Sequence, residues 1–169
     1  IMIFDFSSIK NSKNLLAFSG GVDSSALFFL LVNHKIDFDI AIVNYNTREQ
    51  SKDEIEYALN LAKEYKKEIF IKDVKLENSS NFEKNARDIR YIFFEQIIKE
   101  NSYETLITAH QLNDRLEWFL MQLSKGAGLV ELFGIKEFEE KKDYKIFRPL
   151  LNVSKDELEN YLKENKIKY

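Results

Sequence analysis

The sequence predicts an α/β fold: a doubly wound, mainly parallel sheet with helices on both faces. Three observations predict it. Short apolar runs of strand length alternate four times with segments of helix length, at spacings that suit βαβ crossovers. The second run (Phe38, Ile40, Ala41, Ile42, Val43) has the continuous apolar character of a strand buried on both faces. The polar residues with chemical potential gather just after the strands, at the edge where such sheets bind ligands near their topological switch point.

In chain order, Asn14–Phe18 reads as the first strand. Val22–His34 reads as a helix apolar nearly all round, hence buried. Phe38–Val43 is the second strand. Ser51 and Glu54 have capping-box spacing and open a helix to about Tyr65. Glu68–Val74 is the third strand and Lys75–Ser79 a loop. Ser80 and Glu83 open a long helix to about Glu100, whose core stripe is Phe82, Ala86, Ile89, Phe93 and Ile97. Glu104–Ala109 is the fourth strand. Gln111–Lys125 is a helix with Leu112, Leu116, Phe119, Leu120 and Leu123 as its core face, ended by Gly126-Ala127-Gly128. Leu129–Gly134 reads as a short helix. Phe138–Lys145 is a charged loop or hairpin leading to a short strand at Ile146–Phe147, before the only proline, Pro149. Ser154 and Glu157 cap a last helix to about Asn165.

A chain of 169 residues suffices for one domain with a sizeable core. The run from Val22 to Val32, apolar from Ala26 on, is too short to span a membrane, and Ile1 to Phe6 lacks the basic and apolar regions of a signal peptide. A cytoplasmic protein with no membrane partner is the simplest reading. The formal net charge of −3 argues against strong stand-alone nucleic-acid binding, though not against a nucleic-acid substrate held mainly by another domain. The absence of cysteine excludes disulfides, thiolate metal centres and a catalytic thiol within these residues.

The stretch Ser19-Gly20-Gly21-Val22-Asp23-Ser24-Ser25 joins the first strand to the first helix. Two glycines let the backbone turn tightly, and the helix N–H groups that follow suit a phosphate. Ser19, Ser24 and Ser25 add hydroxyl donors. Asp23 would repel phosphates unless a Mg²⁺ ion sat between them. The competing reading is a serine-rich cap before a core helix. The kinase-type P-loop, with its lysine, is absent.

After the fourth strand, His110, Asp114 and Glu117 stand at i, i+4 and i+7, a single face if all three are helical. Such a group can hold Mg²⁺, attract an ammonium and move a proton. It can equally be a solvated acidic face at a helix N-terminus. Arg87 and Arg90 lie beside the core stripe of the long helix and can grip phosphates or a carboxylate; for Arg87, an i,i+4 pair with Glu83 is the simpler role. Arg48, just after the second strand, is a further candidate.

Ser19-Gly20-Gly21-Val22-Asp23-Ser24 resembles the PP-loop of the N-type ATP pyrophosphatases, a motif shared with GMP, NAD and asparagine synthetases and with several tRNA-modifying enzymes. The later segments narrow the resemblance. Asn81-Phe82-Glu83, Ala86-Arg87, Arg90-Tyr91, Phe93-Phe94, Ala109-His110, Asp114, Glu117, Leu123, Lys125-Gly126, Gly128-Leu129 and Arg148-Pro149-Leu150-Leu151 occur in the order found in the catalytic domain of the tRNA(Ile)-lysidine synthase family. This similarity covers roughly residues 14 to 165.

The resemblance implies an adenine nucleotide alpha hydrolase-like fold over residues 1–169, with the family's tRNA-binding C-terminal domains outside this sequence. It implies a ligase that uses ATP and Mg²⁺ to adenylate the C2 oxygen of the wobble cytidine of tRNA(Ile). Free L-lysine then displaces AMP to form lysidine. By the same resemblance, Ser19, Gly20, Gly21, Val22, Asp23, Ser24 and Arg48 bind ATP, and Asp23 and Asp114 hold the metal. Asp23, Asp114, Glu117, Arg90 and His110 form the catalytic group, and a homodimer is compatible with it. Where the family usually shows an Asp-His-Gly-type stretch, this chain has Asn44-Tyr45-Asn46. Where the family often has two adjacent acids, it has Asn113-Asp114, so Asp114 carries the role. The related tRNA thiolases depend on cysteines, which are absent here. Another PP-loop adenylating or amidating enzyme acting on a small molecule, or a nucleotide-binding module without catalysis, stay open as alternatives.

Overall fold

The computed structural model describes residues 2–46, 50–75, 82–126, 128 and 134–169, with the side chains of all but 82–84. A 3₁₀ turn at Ser7–Ile9 precedes β1 (Asn14–Ala17), α1 (Val22–Asn33), β2 (Asp39–Asn44), α2 (Gln50–Glu64), β3 (Ile69–Asp73) and α3 (Phe82–Asn101). There follow β4 (Thr105–Ile107), α4 (Leu112–Ser124), β5 (Phe138–Glu140), β6 (Lys145–Phe147) and α5 (Lys155–Glu164). The strands form one sheet in the order β3-β2-β1-β4-β6-β5. Every neighbouring pair is parallel except β5–β6, which closes one edge antiparallel and decides for the hairpin over the loop at Phe138–Lys145.

The doubly wound architecture follows from how the strands distribute their side chains. Leu16, Ile40, Ile42, Ile107 and Phe147 meet α1, α2 and α5 through Leu27, Phe28, Leu31, Leu61 and Leu158. Their neighbours Leu15, Ala41, Leu106 and Ile146 meet Phe94, Ile97 and Ile98 of α3 on the other face. Alternation along short strands thus builds two cores, and the sheet is apolar on both sides as parallel sheets require. The winding of the sheet reverses between the parallel strands β1 and β4, since from β1 it extends outward through β2 to β3 and from β4 the other way through β6 to β5. Their shared C-terminal edge is the switch point where ligands bind in such sheets. Leu16 pairs with Ile107, so the chain leaves β1 for Ser19 and β4 for His110 at matching heights.

The structure corrects several expectations. The second helix begins at Gln50, so Ser51 lies inside it and is not a cap. The third helix buries Ala86, Phe94, Ile97 and Ile98, with Phe93 only partly covered; Phe82 and the Ser80–Glu83 box fall outside the described residues or side chains. The largest departure is α4, which has no buried residue. Leu116 is 51% and Leu120 63% exposed, and Met121 and Leu123 are also open, so the face read as core faces outward. Periodicity identifies an apolar helix face, but not whether anything covers it. Gly126 does end α4 in the left-handed conformation (φ +69°), as its C-cap reading requires. The helix expected at Leu129–Gly134 lies almost wholly outside the described residues. Among those described, no helix is long and apolar enough to cross a membrane.

Candidate active site at the switch point

Between β1 and α1 the chain turns through Gly20 at φ +80°. A Cβ there would sit 3.0 Å from the Glu54 Cβ, so the turn packs directly against α2 and only glycine satisfies both constraints. Ser24 is buried and holds the turn closed: its Oγ accepts the Ser19 N–H at 3.1 Å and bonds the Ser19 Oγ at 3.0 Å. Ser19 itself is exposed, so its hydroxyl is presented at the mouth of the turn. Ser25, expected among the phosphate donors, is fully buried and turned into the core instead. Gly21 caps α1 with its backbone alone and without a side-chain acceptor, which leaves the first-turn N–H groups to an outside anion.

Asp23 stands in the first turn of α1. Its Oδ1 is buried and has no hydrogen-bond partner. Burial pushes its carboxyl above the usual range and the nearby Asp114 charge pushes it further, against Lys155 and Gln111. Two acids from different strand–helix turns therefore share one field. An orphaned carboxylate oxygen beside a second carboxylate is a donor set for a hard divalent cation, which takes oxygen ligands and favours both ionised forms. Among the described residues no group of three or more His, Cys, Asp or Glu can hold a metal. A bound ion at the pair would thus complete its shell with substrate oxygens and water.

Asp114 owes its position to a cap the sequence reading did not identify. Gln111 is the N-cap of α4 and is almost fully buried. Its Oε1 accepts the Asn113 N–H at 2.8 Å, and its own N–H donates to Asp114 Oδ2 at 2.8 Å. The reciprocal acid three residues on was visible in the sequence, but glutamine is not among the preferred cap residues.

The helix starts at Leu112, so His110 precedes it and does not share a helical face with Asp114 and Glu117. His110 is held instead from the strand side, where its Nδ1 bonds Thr108 Oγ1 at 2.8 Å. Burial and the neighbouring Arg148 charge push the imidazole down to about 4, with Asp114 opposing. Arg148 follows β6, is itself buried, and donates to Glu139 Oε2 at 2.7 Å and to the Lys136 carbonyl at 3.0 Å.

His110 is therefore neutral at pH 7. Because its folded pKa lies below the ordinary 6.5, stability from this group is complete above pH 6.5 and lost as pH falls toward 4. We expect its ring resonances to stay constant in NMR titration from pH 8 to about 5.5; a midpoint near 6.5 would contradict the burial described.

Glu117 lies on the exposed side of α4, one turn beyond Asp114. Arg90 is exposed on α3, where its charge reaches both Tyr45 and His110. Tyr45 helps place it: its hydroxyl donates to the Ala86 carbonyl at 3.0 Å, docking α3 against the chain leaving β2. Arg87 stacks over the Tyr91 ring at 5.8 Å; its expected partner Glu83 lies beyond the described side chains, and Arg48 falls outside the described residues. The structure thus places Asp23 and His110 within the field of Asp114, and His110 also within that of Arg90 and Arg87.

Residues 3–169 match the model of the PP-loop domain family. The chain belongs to that family. The Ser19–Ser24 turn is the stretch that resembles the PP-loop motif in sequence, and ATP use is the property the family implies. A Campylobacter jejuni (strain RM1221) protein named tRNA(Ile)-lysidine synthase is 55% identical over 161 residues, covering 95% of this chain and 50% of its own length. A Helicobacter pylori protein of the same name is 54% identical over 158 residues, covering 94% and 47%. The chain spans about half the length of these curated relatives. Among solved structures, the U34-tRNA thiolase NcsA from Methanococcus maripaludis aligns with a TM-score of 0.77 at 23% identity, over 98% of this chain and 60% of its own. The NH3-dependent NAD synthetase of Campylobacter jejuni aligns at 0.60 and 18%, over 95% and 68%. These likenesses establish the PP-loop fold. NcsA carries a [4Fe-4S] cluster, for which these 169 residues offer no cysteine.

Proposed function

We propose that this chain is the ATP-using catalytic domain of a tRNA(Ile)-lysidine synthase, which joins lysine to C2 of the wobble cytidine of tRNA(Ile) through an adenylated cytidine. The observation that carries the reading is identity above 50% to proteins of that name across nearly the whole chain. The Asp23–Asp114 pair beside the PP-loop supplies a chemical basis for it.

In this reading Ser19 and the first N–H groups of α1 bind the phosphate chain, and Ser24 keeps the turn in shape for them. Asp23 and Asp114 would hold Mg²⁺, and the ion would supply neutralising charge at the α-phosphate. Glu117 and Asp114 draw in the lysine ammonium, and Arg90 grips its carboxylate. The nucleophilic amine must be neutral, so an acidic pocket that takes its proton favours attack. His110, uncharged at working pH, offers a hydrogen bond more readily than a stored proton. The tRNA is held largely by the part of the protein beyond the matched half, consistent with the mild acidity of this chain.

The test is incubation of the full-length protein with ATP, radiolabelled lysine and bulk bacterial tRNA. Label should enter RNA with one AMP formed per lysine. AMP formation without tRNA would point to a small-molecule adenylating enzyme. ATP binding without AMP under any substrate would point to a non-catalytic module.

A further inference from the structure

The PP-loop turn contains hydroxyls, N–H groups and an acid, but no cation of its own. In kinase-type P-loops a lysine within the motif meets the phosphates. Here the triphosphate would lie beside two carboxylates, and one divalent ion cannot balance all of that charge.

The first turn of α5 is tied into the site by backbone and side-chain bonds. The Leu112 N–H, the first of α4, donates to the Val153 carbonyl at 3.0 Å. Arg115 Nη1 donates to Asn152 Oδ1 at 2.6 Å. Ser154 caps α5, with its Oγ accepting the Glu157 N–H at 3.2 Å and Glu157 Oε2 accepting the Ser154 N–H at 2.8 Å. Further along, Asn33 Nδ2 donates to the Tyr161 hydroxyl at 2.8 Å, so α5 is also bonded to α1. Because β1, β4 and β6 are adjacent and parallel, the helices that follow them, α1, α4 and α5, all start at one edge of the sheet. Their first turns carry Asp23, Asp114 and Lys155.

Lys155 is exposed and takes part in none of the ion pairs among the described residues. Its charge nonetheless acts on the Asp23 carboxylate, as does that of Glu159 one turn later with opposite sign.

We propose that Lys155 is a substrate-contacting residue, whose ammonium binds the phosphate chain of ATP at the Asp23–Asp114 pair and supplies, from elsewhere in the chain, the cation that the PP-loop lacks. The inference rests on the ATP-binding part of the reading above and not on which base is adenylated.

The test compares wild type, Lys155→Met and Lys155→Arg in the full-length protein by calorimetric titration with Mg-ATP and with Mg-pyrophosphate. Loss of one charge-assisted contact should weaken both ligands about tenfold in the Met variant, while Arg restores most of the affinity. The Met variant should also show a shallower dependence of affinity on salt. Its thermal unfolding should match wild type, because an exposed first-turn lysine supports no core. Met-variant affinities within twofold of wild type would overturn the inference. Wild-type protein that binds neither ligand would overturn it together with the ATP-using site. Normal ligand binding with no lysine transfer to tRNA would contradict only the proposed substrate.

Discussion

Asp114→Asn is expected to lower the rate of lysine transfer by on the order of 10³-fold while leaving the protein folded. The choice of asparagine follows from the double duty of this carboxylate. One oxygen accepts the Gln111 N–H at 2.8 Å and so closes the α4 cap. Alanine would remove both the charge and the cap, adding a stability loss of about 1 kcal/mol that confuses the comparison. Asparagine keeps an acceptor for Gln111 and removes only the charge that faces Asp23. The loss should appear in kcat, with thermal unfolding within a few degrees of wild type. A rate within tenfold of wild type would remove Asp114 from the metal-holding role.

Gly20→Ala should be the most damaging of the glycine substitutions. The added Cβ meets two penalties at once: φ of +80°, and the Glu54 Cβ only 3.0 Å away. The left-handed conformation alone costs about 1–2 kcal/mol, and the contact with an inflexible Cβ brings the expected loss to about 2–4 kcal/mol. Because relief of either strain moves the turn, Mg-ATP affinity should fall as well. Gly126→Ala is the internal control. Its φ is +69°, but nothing lies within 4 Å, so it should cost about 1 kcal/mol and leave nucleotide binding unchanged. Urea unfolding together with nucleotide titration of both variants checks the pair; equal effects would show that the Glu54 contact is unimportant.

The main architecture was legible because it depends on local patterns that the tertiary fold does not override. Leu15 and Leu16 alternate between two cores, and Phe38–Val43 is apolar apart from Asp39, so the buried parallel strands declared themselves. The Ser154–Glu157 box was read directly and is present in both hydrogen-bonded directions. Placing Ser19–Ser24 and Asp114 on one edge needed only strand alternation and the rule for switch points.

What escaped depended on neighbours remote in sequence. Nothing near Ser25 signals that it turns into the core while Ser24 stays with the loop. The open face of α4 has the same leucine spacing as a covered one. His110 fits the i, i+4, i+7 pattern with Asp114 and Glu117, yet the Gln111 cap delays the helix by two residues and breaks it. The low pKa of His110 depends in part on Arg148, some forty positions away and brought near by the β4–β6 pairing. Lys155 was hidden for the same reason, because only the order β1-β4-β6 in the sheet brings the start of α5 to the edge that carries Asp23.

The central claim is that Asp23 and Asp114, carried on separate strand–helix turns, hold one metal ion against the phosphates of ATP. The most direct measurement is a crystal structure of the full-length protein with a non-hydrolysable ATP analogue and Mn²⁺, read by anomalous scattering. The account predicts a peak about 2.1–2.2 Å from a carboxylate oxygen of each residue and from phosphate oxygens of the analogue. A metal bound by phosphates alone, with the Asp23 Oδ1 still unpartnered, would contradict it.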